Sequence, residues 1–326
     1  MIVILKRYSI LLTGLLMLNS ACTPSSFNEE DVTVGVLLSH HIDDQGWNQE
    51  AYQSVLRLQS DYEIDVYVKE NISTPRMIRS TVEELVDDYQ ADLIIGHSHL
   101  YEQVFLEIAG DYPDVHFAGM NSELEGDNLT GLHFEGYAMG YFAGMLASEM
   151  SETNRVGVIA AFPFQPEVKG FTSGAKYHRP DVHLEIEYTE SWVDEHRATA
   201  YFRMMEQNGV DIFYPAADGF HIKIVDEVKA AGLRAIGYVG DQIDLGEQVI
   251  LTSTVQKVDA IYDFTFDQFK KGELESGNLY FDFQDDAITM GEYGAGVPDD
   301  VVEWLESHIT HYQETGELPH EAYATE

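Results

Sequence analysis

In 326 residues the chain has one cysteine, three tryptophans and nine prolines, and only 18 lysines and arginines against 57 aspartates and glutamates. Each scarcity excludes something. A single thiol, Cys22, permits no disulfide within the chain. A formal charge of −39 repels phosphate backbones and anionic headgroups, and no segment gathers basic residues into a stripe, so direct nucleic-acid binding is excluded. Enzyme signatures are missing as well. There is no GxSxG elbow, no HExxH pair, no Walker loop and no GxGxxG after a strand-like run. "GEYGAG" (291–296) has its glycines in the wrong order for a dinucleotide turn. No cofactor is expected.

What is present suits a folded binding module. Hydrophobic residues make up 44% of the chain, enough for two cores in domains of ~120–150 residues. Residues 1–22, "MIVILKRYSILLTGLLMLNSAC", have a basic pair (Lys6, Arg7), a short apolar core and small residues before the cysteine. That is the layout of a secretory signal, too short in its core for a comfortable membrane span. Ser20, Ala21 and Cys22 fit a bacterial lipoprotein cleavage site, although Asn19 stands where leucine is usual. Cys22 is therefore the expected lipid attachment point, residues 23–31 a polar tether, and the globular part extracytoplasmic. An uncleaved amino-terminal signal anchor is the alternative.

From residue 32 short apolar runs alternate with helical intervals. "TVGVLL", "IDVYVK", "ADLIIG" and "VHFAGM" read as buried strands, and Thr74 with Pro75 opens a helix whose apolar face is Ile78, Val82, Leu85, Val86 and Tyr89. At "LTGLHF" (129–134) the alternation starts afresh, with "RVGVIAAF", "VHLEIEY", "VDIFYPA" and "LRAIGYV" as further strands. The glycines and alanines of "EGYAMGYFAGMLASEM" suit close helix packing. The pattern predicts two doubly wound α/β lobes. Lobe 1 is expected over 32–128 together with about 249–275, lobe 2 over 129–248, and a C-terminal segment, 276–326, closes over both. Hinges are expected around Leu129–Phe134 and Gln248–Thr254. Such lobes leave a cleft at their strand carboxyl ends.

The candidate site residues lie in loops after strands. In "HIDDQGWNQE", Trp47 offers a ring to stack on and Asn48 an amide that both donates and accepts. Trp192 ends a strand of the second set, and Asp218 and Asp241 follow others, where carboxylates accept from hydroxyls. His40 and His41 end the first strand region and His97 and His99 follow the third. If all four imidazoles met they would bind zinc or copper, the basis of a metal-dependent or hydrolytic alternative.

These segments, with "HFEGYAMGYFAGMLA", "GFTSGAK", "DEHRATAYFRMMEQNGVDIFYPAADG" and "LTSTVQKVDAIYD", resemble the basic-membrane-protein family of substrate-binding lipoproteins, in order, from residue 32 to about 310. The resemblance implies a type I periplasmic-binding-protein fold, no enzymatic activity, a purine-nucleoside-like ligand and an ABC permease or other membrane partner. It places the family's stacking aromatics on Trp47 and Trp192, its asparagine on Asn48 and a ribose-binding aspartate on Asp241. It also implies departures. A first-strand aspartate falls on Leu38 or Ser39, a second aspartate becomes Asn121, and a lysine falls on Gln256 or, one place on, Lys257. One subgroup that the chain resembles is described as positive regulators of competence. With this charge and anchor, any such effect on transcription is expected to be indirect, and a regulator with a non-functional cleft is a further alternative.

Overall fold

The computed structural model describes residues 32–322 apart from 45 and 63, so Cys22 and the signal-like segment lie outside the described residues. Buried runs of β-branched and aliphatic residues form the strands, and amphipathic intervals form the helices. The first half runs β1 (Thr33–Leu37), α1 (Trp47–Tyr62), β2 (Asp65–Lys69), α2 (Pro75–Asp87), β3 (Leu93–Gly96), α3 (Glu102–Ile108), β4 (His116–Met120) and β5 (Leu129–Phe134). Then come α4 (Gly136–Met150), β6 (Arg155–Ala160), α5 (Pro166–His178), β7 (His183–Tyr188), α6 (Glu195–Gln207), β8 (Ile212–Ala216), α7 (His221–Ala230), β9 (Arg234–Val239) and β10 (Ile250–Gln256). The chain continues through α8 (Val258–Lys271), β11 (Gly277–Phe281), β12 (Ile288–Met290), α9 (Asp299–Thr315) and α10 (Pro319–Ala322).

Two six-stranded sheets result, ordered β11-β5-β4-β3-β1-β2 and β12-β10-β9-β8-β6-β7. All their pairings are parallel except the antiparallel β12–β10 pair. The α/β architecture is thus as read from the alternation. Helix α2 also forms as expected: Thr74 Oγ1 accepts from the Met77 amide at 3.3 Å, and Ile78, Val82 and Leu85 are buried.

The lobe boundaries differ from expectation. β5 does not open the second lobe; it lies in the first sheet between β4 and β11. β10 does not return to the first lobe; it pairs with β9 and β12 in the second sheet. The return is made one element later by α8, which Arg57 of α1 ties down through Asp259 (2.7 Å) and Asp263 (2.8 Å). Residues 276–326 are not one closing segment: β11 belongs to the first sheet, β12 to the second, and α9 packs on α4. A buried apolar run states that it is a strand but not which sheet it will join; here β5 stays with its chain neighbour β4 and β10 with β9. The chain crosses between the lobes three times, at 134–136, 256–258 and 281–288. The first two lie just beyond the hinge segments anticipated in the strands, and the third was not anticipated.

Helix α4 begins at the first crossing and packs on α5 with almost no space between backbones. A Cβ on Gly140 would sit 1.9 Å from the Glu167 carbonyl oxygen, and one on Gly170 1.9 Å from that of Tyr137. The glycines are therefore a requirement of contact, as the small-residue pattern of α4 suggested.

Candidate ligand cleft

The strand carboxyl ends of the two sheets face a cleft of about 710 Å³. Its first-lobe wall is built around Asp44, which precedes α1. Asp44 Oδ1 accepts from the amides of Gly46 (3.1 Å) and Gln49 (3.0 Å), and Oδ2 from the amide (2.9 Å) and Nδ2 (2.7 Å) of Asn48. A carboxylate there satisfies the unpaired N–H groups of the first helical turn and complements the helix dipole. Gly46 is needed because the second lobe arrives at that point: a Cβ on it would lie 2.5 Å from Asp218 Oδ1. Asp218 Oδ1 instead accepts from the Trp47 amide at 3.2 Å, a hydrogen bond from lobe to lobe.

Trp47 is held rigidly. Its ring stacks on His97 (centroids 4.2 Å apart, 23° between planes) and meets Phe134 edge-on at 6.0 Å. Its indole N–H donates to the His97 carbonyl at 3.0 Å. His97 Nε2 lies 2.9 Å from the Trp47 carbonyl, which can only accept, so Nε2 carries the proton and Nδ1 accepts from the Tyr262 hydroxyl at 3.1 Å. Burial holds this imidazole neutral, its pKa lowered to about 3, against the opposing hydrogen bond to Trp47. Both nitrogens of His97 are engaged within the protein, so it is a support for Trp47 and not a metal ligand.

The other histidines do not converge either. His40 lines the cleft with Nδ1 on Ser39 Oγ (3.0 Å), His99 stands at its rim, and His41 is exposed and turned onto Glu70 and Asn71. Among the described residues no three metal-ligating side chains form a group.

The second-lobe wall is aromatic. Phe162 stacks on Phe164 (5.2 Å, 10°) and meets Trp192 edge-on at 5.5 Å. Phe164 is 56% exposed and faces His99 of the opposite lobe at 5.8 Å. Behind this wall Glu167 is buried at the start of α5, its Oε1 accepting from Gln165 Nε2 (2.8 Å) and the Tyr238 hydroxyl (2.9 Å). Burial pushes its carboxyl up in pKa, with those hydrogen bonds pulling the other way. Asp218 is pushed up to about 8, chiefly by burial and then by the negative charge of Asp44, despite the Trp47 amide it accepts from.

A family model described as "ABC transporter substrate-binding protein PnrA-like" matches residues 31–321. The chain belongs to this PnrA-like family. It is 41% identical to the transcriptional activator protein Med of Bacillus subtilis over 95% of this chain and 98% of Med. It is 26% identical to basic membrane protein A of Borreliella burgdorferi, covering 83% of this chain and 81% of that protein. Among solved structures, a transcriptional activator of the comK gene from Bacillus halodurans superposes with a TM-score of 0.81 and 46% identity, over 88% of this chain and 99% of that one. An ABC transporter solute-binding protein from Conexibacter woesei, at 21% identity and TM-score 0.70 over 88% and 97%, shares the fold. Among the described residues no helix is long and apolar enough to cross a membrane.

Of the residues singled out in this PnrA-like chain, Trp47, Asn48, Asn121, Trp192, Asp218 and Gln256 all line the cleft. Asn121 adopts φ +52°, which asparagine tolerates, and its Oδ1 accepts from the Phe134 amide at 3.2 Å. Asp241 does not line it. It lies beside a separate pocket of about 370 Å³ and is engaged by Ser253 Oγ (3.2 Å) and the amides of Ile243 (3.3 Å) and Glu292 (2.8 Å). The residues of that strand end lining the cleft are Tyr238 and Val239. Sequence reasoning passed over Asp44, Phe162, Phe164 and Glu167. The signal for the phenylalanines was the pair in "AFPF" directly after β6; for Glu167, buried at a helix start, there was none.

Proposed function

We propose that this chain is a membrane-anchored extracytoplasmic binding protein whose lobes close by a hinge motion on a small, planar, nucleoside-like ligand. Its role is a regulatory one akin to Med's or solute capture for an ABC permease. The observation that carries the reading is the cleft itself: aromatic rings on both walls, and a buried Asn48 whose Oδ1 has no hydrogen-bond partner. An unpaired buried acceptor costs roughly 1–3 kcal/mol, and a ligand donor would offset that. Trp47 and Trp192 are the proposed stacking residues, and Asn48, Gln256, Asp218 and Asn121 the polar ones. Anchoring through Cys22 and an indirect effect on competence transcription are parts of the same proposal, since a −39 chain outside the membrane has no route to DNA.

The test is thermal melting of the purified chain against nucleosides and nucleobases at millimolar concentration. A ligand at ~100 times its dissociation constant adds ~2.7 kcal/mol. A shift that Trp192→Ala abolishes supports the reading, and no shift with any compound refutes it. The direct contact between lobes through Asp218 and the Trp47 amide favours the second reading, a regulator with a non-functional cleft, in that event.

A further inference from the structure

The donors and acceptors around the cleft constrain the charge of its ligand. Four carboxyl groups line it, those of Asp44, Glu123, Glu167 and Asp218, and no lysine or arginine does among the described residues. Several side-chain donors there are already used. Asn48 Nδ2 donates to Asp44, Gln165 Nε2 to Glu167 and the Ala216 carbonyl, the Tyr238 hydroxyl to Glu167, and the Trp47 indole to His97. What is left unmet at depth is an acceptor, Asn48 Oδ1, on a residue only 3% exposed. The remaining donors are the Asn121 and Gln256 amides, the Trp192 indole, the Ser98 hydroxyl and the imidazoles of His40 and His99, all nearer the cleft mouth or on the opposite wall. The walls add π-faces from Phe162, Phe164 and Trp192 opposite Trp47.

We propose that this cleft selects a planar, singly cationic heterocycle bearing N–H donors, in preference to neutral isosteres, and rejects phosphorylated ligands. The inference rests on the cleft being the ligand site. A cation between aromatic faces gains from their quadrupoles, the more so when desolvated. It also pairs with carboxyl groups that have no lysine or arginine in the cleft; Asp218, buried with Asp44 and Glu167 near it, keeps its proton up to about pH 8. A neutral ring gains neither contribution. A phosphate would bring negative charge against four carboxyl groups with no basic side chain to receive it.

The experiment uses nicotinamide riboside, a pyridinium nucleoside with an amide donor, and its reduced dihydro form, which is neutral and nearly isosteric. Adenosine and nicotinamide mononucleotide complete the set. Affinities are measured by calorimetry and thermal melting on the purified full chain at roughly 0.15 M salt, where contacts with distant exposed charges are screened. The pyridinium form should bind at least ~10-fold more tightly than the reduced form, a difference of ~1.4 kcal/mol, with no binding by the mononucleotide. At pH 8.5, where Asp218 is ionised, Asp218→Asn should abolish that preference. Glu123→Gln, at the exposed rim, should reduce it and guards against a folding defect in the first variant. Equal or tighter binding of the neutral forms overturns the inference while leaving the ligand cleft standing. No binding by any of the four overturns both.

Discussion

Replacing Asp218 by asparagine should make the protein more stable at alkaline pH, by an amount that grows with pH. Asparagine keeps the shape and the Oδ1 acceptor for the Trp47 amide and removes only the titration. Burial raises the Asp218 pKa from its ordinary 3.8 to about 8 in the fold. At 1.36 kcal/mol for each unit the ceiling is ~6 kcal/mol. Parting of the lobes at this contact would rehydrate the carboxylate, so about 2 kcal/mol or more is the expected share in global stability. The sign follows from proton counting. Between pH 3.8 and 8 the folded chain holds a proton that the unfolded chain has released, so wild-type stability falls as pH rises and levels off above 8. Buried His97, with its pKa lowered to about 3, acts at the other end: its contribution is complete above the unfolded value of 6.5 and fades as pH falls toward 3. Between pH 6.5 and 8, therefore, Asp218 governs the slope. Urea midpoints for wild type and Asp218→Asn across pH 6–9 decide the matter. The two curves should separate with rising pH, and parallel curves would refute the reasoning.

Further outcomes follow from the packing and the walls of the cleft. Gly170→Ala gains about 1 kcal/mol in helix propensity, but its Cβ would stand 1.9 Å from the Tyr137 carbonyl oxygen, so a net loss of ~2 kcal/mol or more is expected as a lower urea midpoint. Gly110→Ala, with nothing within 4 Å of the new methyl, should be near neutral and serves as its control. Phe164→Ala should leave the melting temperature of the free protein nearly unchanged, because the side chain is 56% exposed, while weakening a bound planar ligand by ~1 kcal/mol in calorimetry. Cys22→Ala should move the chain from the membrane fraction to the medium and abolish labelling by a fatty-acid analogue. Retention with undiminished labelling would refute lipid attachment at that residue.

The alternation of strands and helices was legible because burial on both faces of a parallel sheet leaves continuous apolar runs, and α2 announced itself through Thr74, Pro75 and a periodic face. Sheet membership was not. β5 and β10 read like any other strand, and what assigns them is pairing with their chain neighbours β4 and β9 as well as with the later β11 and β12. The loop before α1 was half legible: Trp47 and Asn48 stood out by residue type, but the Asp44 cap that orders them depends on helix-end geometry. Asp241 misled because an aspartate two residues past a strand serves equally well as a turn anchor, and here Ser253 and Glu292 claim it. His97 was visible as a residue capable of chemistry; only the positions of the Trp47 carbonyl and Tyr262 reveal that both its nitrogens are spent.

The three crossings between lobes also set an order of assembly. Most of the first sheet is encoded by residues 33–134, but its edge strand β11 and the helix α8 that covers α1 come from residues 258–281, after the whole run from β6 to β10. A chain emerging from its amino terminus presents β5 as an open, pairing-competent edge until β11 arrives. The second lobe gains β12 only after that. Neither lobe can be complete on a truncated chain, and long-range closures of this kind fold slowly. The lobe that is made first is finished only after nearly all of the other has emerged.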